Sequence, residues 1–300
     1  MVSINNYLDD ILKDFLAYLD EGHDLCDLKS VNFDQGQVPD YQDIHVQQYY
    51  LLRYAYAYAF EYKQIYKTLF KEYSYPKEIT VTSIGCGTML DYWALARVLK
   101  QTGHKEVSVK YTGIDQIEWQ YLFQPRKKDS VTSCLNDVIA EFSQYGSLDS
   151  DIYFFPKSIS EFSDYDFKCL CAIFEKTPIS QDVVHILISV RSNQGSMDRD
   201  LKRAELLRKA VIKNGFETKN TCDQFWHATN PKEMIRNADS DFEHPSDIID
   251  TLKELNTKCI FYQDEYAACG KDCKNRLTRW PILKQGQVCF SILSFERKSS

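Results

Sequence analysis

Gly85-Cys86-Gly87 and Asp115 are the residues whose types and placement most directly suggest chemistry. They close two successive runs with strand pattern, Ile79 to Ile84 and Val107 to Ile114. Glycine lets a backbone turn sharply and admits a ligand against the main chain. The helix expected after the turn, Leu90 to Lys100, opens with amide groups that have no partner inside the helix. A carboxylate ending the next strand can accept the hydrogen bonds of a ribose diol. The combination suits a nucleoside-bearing ligand. A dinucleotide fingerprint asks for a third glycine at position 90, where this chain has Leu90. The two-glycine form fits a ligand without a pyrophosphate to cradle, which disfavours a nicotinamide-dependent oxidoreductase.

The elements that must hold these residues follow from hydrophobic periodicity. Ile4, Leu8, Ile11, Leu12, Phe15, Leu16 and Leu19 recur at the spacing of an amphipathic helix. An acidic loop follows from Glu21 to Gln42. A second helix, His45 to Tyr73, carries Tyr49, Tyr50, Tyr54, Tyr56, Tyr58, Tyr62 and Tyr66, read mainly as packing. From Lys77 onward strands and helices alternate. Further strands are expected at Ile152 to Phe155, Val183 to Val190 and Val288 to Phe295, with helices at Leu135 to Phe142, Phe167 to Lys176 and Asp200 to Lys213. Such alternation predicts an α/β fold, a doubly wound and mostly parallel sheet covered on both faces. The expected organisation is an N-terminal helical cap over 1–75, a ligand-binding domain over 76–229 and 284–300, and a late insertion over 230–283.

Ser83-Ile84-Gly85-Cys86-Gly87 after one strand, with Tyr111-Thr112-Gly113-Ile114-Asp115 closing the next, resembles the class I S-adenosylmethionine-dependent methyltransferases. The resemblance covers roughly 77–220 and the last strand. It implies a seven-stranded Rossmann-like sheet, S-adenosylmethionine as cofactor, and direct displacement of the sulfonium methyl by an acceptor. It also implies Gly85, Cys86 and Gly87 beside the cofactor's amino-acid end and Asp115 on its ribose, with Cys86 a wall and not a nucleophile. The family often has an acidic residue where this chain has Ser83 and a third glycine where it has Met89; Asp91 could supply the missing carboxylate. In the family the loop after the fourth strand usually lies at the acceptor site, so Phe155 and Pro156 would border the cofactor. Lys157 and Glu161 would orient or deprotonate the acceptor, and Ser158 would hydrogen bond. The plainer reading is a serine capping a helix beside a solvated Glu161. The helix before the first strand often closes over the cofactor in such enzymes; Tyr50, Arg53 and Tyr54 share one face of it, which makes Tyr54 a candidate neighbour and Arg53 a candidate carboxylate clamp.

Other features carry weaker chemistry. Arg191 or Asn193 could reach an acceptor pocket, while Ser196 and Asp198 read as the cap of the next helix. Cys259, Cys269 and Cys273 are candidate zinc ligands, but the second ligand pair is missing, and buried thiols are the expectation. Lys271, Lys274, Arg276, Arg279 and Lys284 form a basic stretch that would favour RNA as an alternative acceptor. The net charge of -7 argues only weakly against such a partner, because ten acidic residues face only Lys13 and Lys29 in the first fifty. An apolar share of 44% and a charged share of 26% exclude a disordered or collagenous chain. With no export signal or span in the sequence and ten scattered cysteines, the expectation is a cytoplasmic protein with reduced thiols and no membrane partner. A non-catalytic binding or scaffold protein keeping the same fold is the other alternative.

Overall fold

The computed structural model describes residues 2–23, 39–74, 76–191, 194–222, 246–258 and 289–299. Two helices come first, α1 (Ile4–Asp20) and α2 (Ile44–Glu72). Ser3 caps α1 by accepting from the Asn6 amide, and Asp43 caps α2 by accepting from that of His45. The alternating part contains β1 (Glu78–Ile84), α3 (Leu90–Gln101), β2 (Ser108–Asp115), β3 (Ser130–Leu135), α4 (Val138–Phe142), β4 (Ile152–Pro156), α5 (Asp164–Lys176), β5 (Val183–Ser189), α6 (Gln194–Lys213) and β6 (Phe216–Glu217). Helix α7 (Ser246–Lys258) and strand β7 (Phe290–Arg297) complete the described chain.

The strands form one seven-stranded sheet in the order β3-β2-β1-β4-β5-β7-β6. All pairings from β3 to β5 are parallel, and β7 runs antiparallel to both β5 and β6. This is the expected doubly wound, mostly parallel α/β sheet. Chain connectivity moves outward from β1 through β2 to β3, and outward the other way from β4 to β5. The order therefore reverses between the neighbours β1 and β4, the place where open α/β sheets bind ligands beyond the strand carboxyl ends.

Strand periodicity divides the core between the two faces. Ile152 and Phe154 of β4 join one cluster with α1, α2 and α3, while Tyr153 and Phe155 join the other with α4, α5 and α6. Helices α1 and α2 are thus part of one of the two helical layers: Tyr49, Phe60, Ile65 and Tyr66 are buried in the same cluster as Val81, Trp93 and Leu95.

Three elements differ from the sequence-based expectation. Strand β3 was not predicted, because Ser130–Leu135 is an edge strand with alternating exposure and no apolar run. Its last residue, Leu135, is expected from periodicity in the following helix, which begins only at Val138 behind its Asp137 cap. Helix α6 starts at Gln194, so Ser196 and Asp198 lie within it and not ahead of it. Among the described residues, no helix is long and apolar enough to cross a membrane.

Candidate active site

Beyond the carboxyl ends of β1 and β4 lies a cavity of about 270 Å³. Its floor is the turn after β1. Gly85 (φ 72°), Gly87 (φ 53°) and Met89 (φ 61°) all adopt left-handed backbone, so the turn folds tightly before α3 begins. A third glycine would sit without strain at position 89; Met89 holds the same conformation at a cost of roughly 1–2 kcal/mol, while its side chain is buried in the α2–α3 layer. The two glycines answer to different needs. A Cβ at Gly85 would lie 2.6 Å from the Cβ of Ser158, whereas one at Gly87 would meet only the Trp119 ring at 3.8 Å. Gly85 is required by the protein's own packing, and Gly87 leaves room beside the cavity. The thiol of Cys86, also in the lining, is buried against Gly113 and pushed up by that burial.

Asp115 ends β2 and lines the cavity. Its carboxylate accepts from the Gly87 amide at 2.8 Å and from the Ile117 amide at 2.9 Å. Two oxygens offer about four acceptor positions, so two amides leave room for a diol. Burial raises this carboxyl above its usual range, while the two amides pull the other way. Asp137 extends the row: it caps α4 through the Ile139 and Ala140 amides and accepts from the Gln116 side chain at 2.6 Å.

The opposite wall is aromatic. Tyr41, Tyr50, Tyr58, Tyr62 and Trp119 line it. Tyr50, Tyr54, Tyr58 and Tyr62 recur every fourth residue along α2, with successive ring centroids 5.2, 5.5 and 6.0 Å apart. Trp119 belongs to the loop after β2 and stands 5.7 Å from the Tyr50 ring and 5.3 Å from that of Tyr41. Buried Gln47 of α2 fixes this loop, donating to the Glu118 carbonyl at 2.9 Å and accepting from the Gln120 amide at 3.0 Å. Gln48 and Tyr7 hold Tyr121 of the same loop.

The loop after β4 supplies the remaining side. Lys157 is left-handed (φ 64°), and its ammonium is held at 2.7 Å by both Glu61 of α2 and the Val190 carbonyl. The Glu61 carboxylate also accepts from the Ser189 hydroxyl. Ser158 donates its hydroxyl to the Ile84 carbonyl, tying the β4 loop to the β1 turn. Glu161 opens onto the cavity and makes no hydrogen bond through its carboxylate among the described residues. Glu161 is an exposed residue of the lining; desolvation by the protein around it pushes its carboxyl up to about 7, Arg191 opposes this shift, and Asp115 and Asp200 add to it.

Of the residues singled out from sequence, Gly85, Cys86, Gly87, Asp115, Pro156, Lys157, Ser158 and Glu161 come together around this cavity. Ser83, Asp91, Phe155, Arg53 and Tyr54 do not reach its lining. Asp91 is buried beneath the turn, accepting from the Tyr111 hydroxyl at 2.9 Å, with Ser83 beside them; burial raises it to about 6. Phe155 packs in the opposite core. Arg53 donates to the Tyr49 hydroxyl at 3.2 Å and lies 5.1 Å from the Tyr54 ring. Arg191 turns to Asp200 and Ser160. Asn193, Cys259, Cys269, Cys273 and the basic stretch 271–284 lie outside the described residues. Among the described residues no group of three or more metal-ligating side chains comes together.

Sequence reasoning missed Asp137, Gln116, Trp119, Tyr41, Tyr58 and Tyr62 as lining residues, and of the face expected to close over the cofactor only Tyr50 reaches the lining. The fourfold spacing of the tyrosines was the available signal, and it reads equally as packing.

No family model matches the sequence, and no curated protein does. Solved structures with a loose likeness include MnmC2 of Aquifex aeolicus (13% identity, 52% of this chain and 50% of that one, TM-score 0.32). A mycolic acid cyclopropane synthase crystallised with S-adenosylhomocysteine shares 11% identity over 78% of this chain and 83% of that one, with a TM-score of 0.41. A phosphoethanolamine N-methyltransferase of Haemonchus contortus shares 14% over 87% and 61%, also at 0.41. The chain thus spans half the length of the first and less than two thirds of the third. At these scores the likenesses carry no inference about what this chain does.

Proposed function

We propose that this chain is an S-adenosylmethionine-dependent methyltransferase. The observation that carries the reading is the convergence, at the point where strand order reverses, of a left-handed glycine turn and a half-buried carboxylate with acceptor positions to spare. Gly87 and its neighbours would take the cofactor's amino-acid end, and Asp115 its ribose diol. When bound, the cofactor supplies an activated methyl on a sulfonium leaving group. The protein's part is to align the acceptor, exclude water and take up a proton where the acceptor must lose one. Among the lining side chains Glu161 is suited to that last task, since it faces the cavity and its carboxylate is raised to about 7. Lys157 and Ser158 are engaged within the protein, which fits them to shaping the β4 loop. A small molecule or protein is the acceptor class proposed; the RNA alternative rests on the basic stretch 271–284, which lies outside the described residues.

Calorimetric titration with S-adenosylhomocysteine, S-adenosylmethionine and NADH tests the reading. Both sulfur ligands should bind the intact chain, NADH should not, and Asp115→Asn should weaken the first two at least tenfold. Binding of NADH alone, or of none of the three, would overturn it.

A further inference from the structure

We infer that the acceptor is an amine, received as a cation against the tyrosine wall and relieved of its proton by Glu161. The inference rests on the methyltransferase reading and adds the substrate class. Five rings line one side of the cavity, and aromatic faces attract cations, more strongly when water is excluded. The charges in the lining point the same way. Its carboxylates are Asp115, Asp137, Glu161 and Asp166, and its one cation among the described residues is Lys157.

Lys157 is already neutralised by Glu61 and capped by the Val190 carbonyl, and its ammonium lies 5.5 Å from the Tyr58 ring centroid, which leaves the rings of Tyr41, Tyr50, Tyr62 and Trp119 for a substrate cation. Asp115 and Asp137 are held by backbone amides, and Asp166 by Ser163. Glu161 is left as the lining carboxylate without a hydrogen bond among the described residues. It lines the same cavity as Tyr41, Tyr50, Tyr58 and Tyr62. An anionic acceptor would meet this carboxylate unfavourably, and a neutral apolar one would offer it no hydrogen bond.

A protonated amine satisfies both the carboxylate and the rings. It has no lone pair, so one N–H bond must break before it can accept a methyl group. The proton passes to a Glu161 carboxylate oxygen, and the electron pair stays on nitrogen as the nucleophile. The raised affinity of Glu161 for protons narrows the gap between it and an alkyl ammonium, which makes this hand-over easier than it would be with an ordinary carboxylate.

The test uses choline, a cation with no N–H to lose, and its neutral isostere 3,3-dimethylbutan-1-ol. Both are titrated into the intact chain loaded with S-adenosylhomocysteine. Choline should bind at least tenfold more tightly than the isostere, and Tyr50→Leu and Glu161→Gln should each narrow that gap. The comparison within the unaltered protein stands even if a variant fails to fold. Equal binding of the two probes, or no binding of choline to the loaded protein, overturns the inference. Choline binding only when S-adenosylhomocysteine is absent also overturns it, because the wall then belongs to the cofactor's own sulfonium. Failure of S-adenosylhomocysteine to bind is a separate result and counts against the methyltransferase reading itself.

Discussion

The two halves of the cavity are built in different ways. The half around Gly85, Gly87 and Asp115 is made largely of backbone: left-handed turns and one carboxylate held by the Gly87 and Ile117 amides. The half facing it is made of side chains from distant parts of the chain. Its tyrosines come from α2 and, for Tyr41, from the turn before it, Trp119 from a loop that Gln47 fixes, and Lys157 from a loop that Glu61 fixes. A backbone-built half tolerates most side-chain changes except where an added atom has nowhere to go. A side-chain-built half depends on individual partners, and removing one leaves another buried without its counter-charge.

The largest effect should come from Glu61→Ala. It strips the buried counter-charge from Lys157 and the acceptor from Ser189, and should cost about 3–5 kcal/mol in urea unfolding, the range for breaking a buried pair. A loss below about 1 kcal/mol, as for an exposed pair, would mean that the β4 loop holds itself and that the contrast between the halves is wrong.

Asp91 probes the ground beneath the turn. Its folded carboxyl is raised from 3.8 to about 6, so the protonated form is favoured in the fold. That contribution is fully present below about pH 4 and is lost as pH rises through 6. Each tenfold gain in proton affinity is worth about 1.4 kcal/mol, which makes the loss about 3 kcal/mol. Asn at this position still accepts from Tyr111 and has no proton to lose. Asp91→Asn should therefore match the parent near pH 4 and exceed it in stability at pH 8. A pair of unfolding curves equally separated at both pH values would contradict this assignment.

The smallest and most local comparison is between the two glycines. Gly85→Ala combines left-handed strain with a 2.6 Å approach to Ser158, for about 2–4 kcal/mol. Gly87→Ala carries the strain alone, about 1–2 kcal/mol, since its Cβ would make an ordinary contact with Trp119. Melting curves of the two variants should separate in that order. Reversal would mean that the turn relaxes away from β4.

What was legible in the sequence was local. Strand periodicity, helix spacing and the glycine turn all act over a few residues, so the α/β alternation, the long tyrosine helix and the Gly85 to Asp115 motif could be read from neighbouring positions alone. Strand β3 escaped because an edge strand buries little and so leaves little hydrophobic pattern. An acid at position 91 fits the ligand site by its spacing, yet the helix start turns it under the sheet toward Tyr111.

Tertiary structure decided which side chains meet. The distance along the chain from Glu61 to Lys157, or from Gln47 to Glu118, is far longer than any local periodicity can span. The same fourfold tyrosine spacing would serve a buried core or a cavity wall equally well. Only the packing of α2 across the end of β4, with Trp119 brought in by its loop, selects the wall. Glycines, caps and alternation are written in backbone preferences and belong to the sequence; charge pairs and cavities require the parallel sheet to bring distant segments to one edge before they exist.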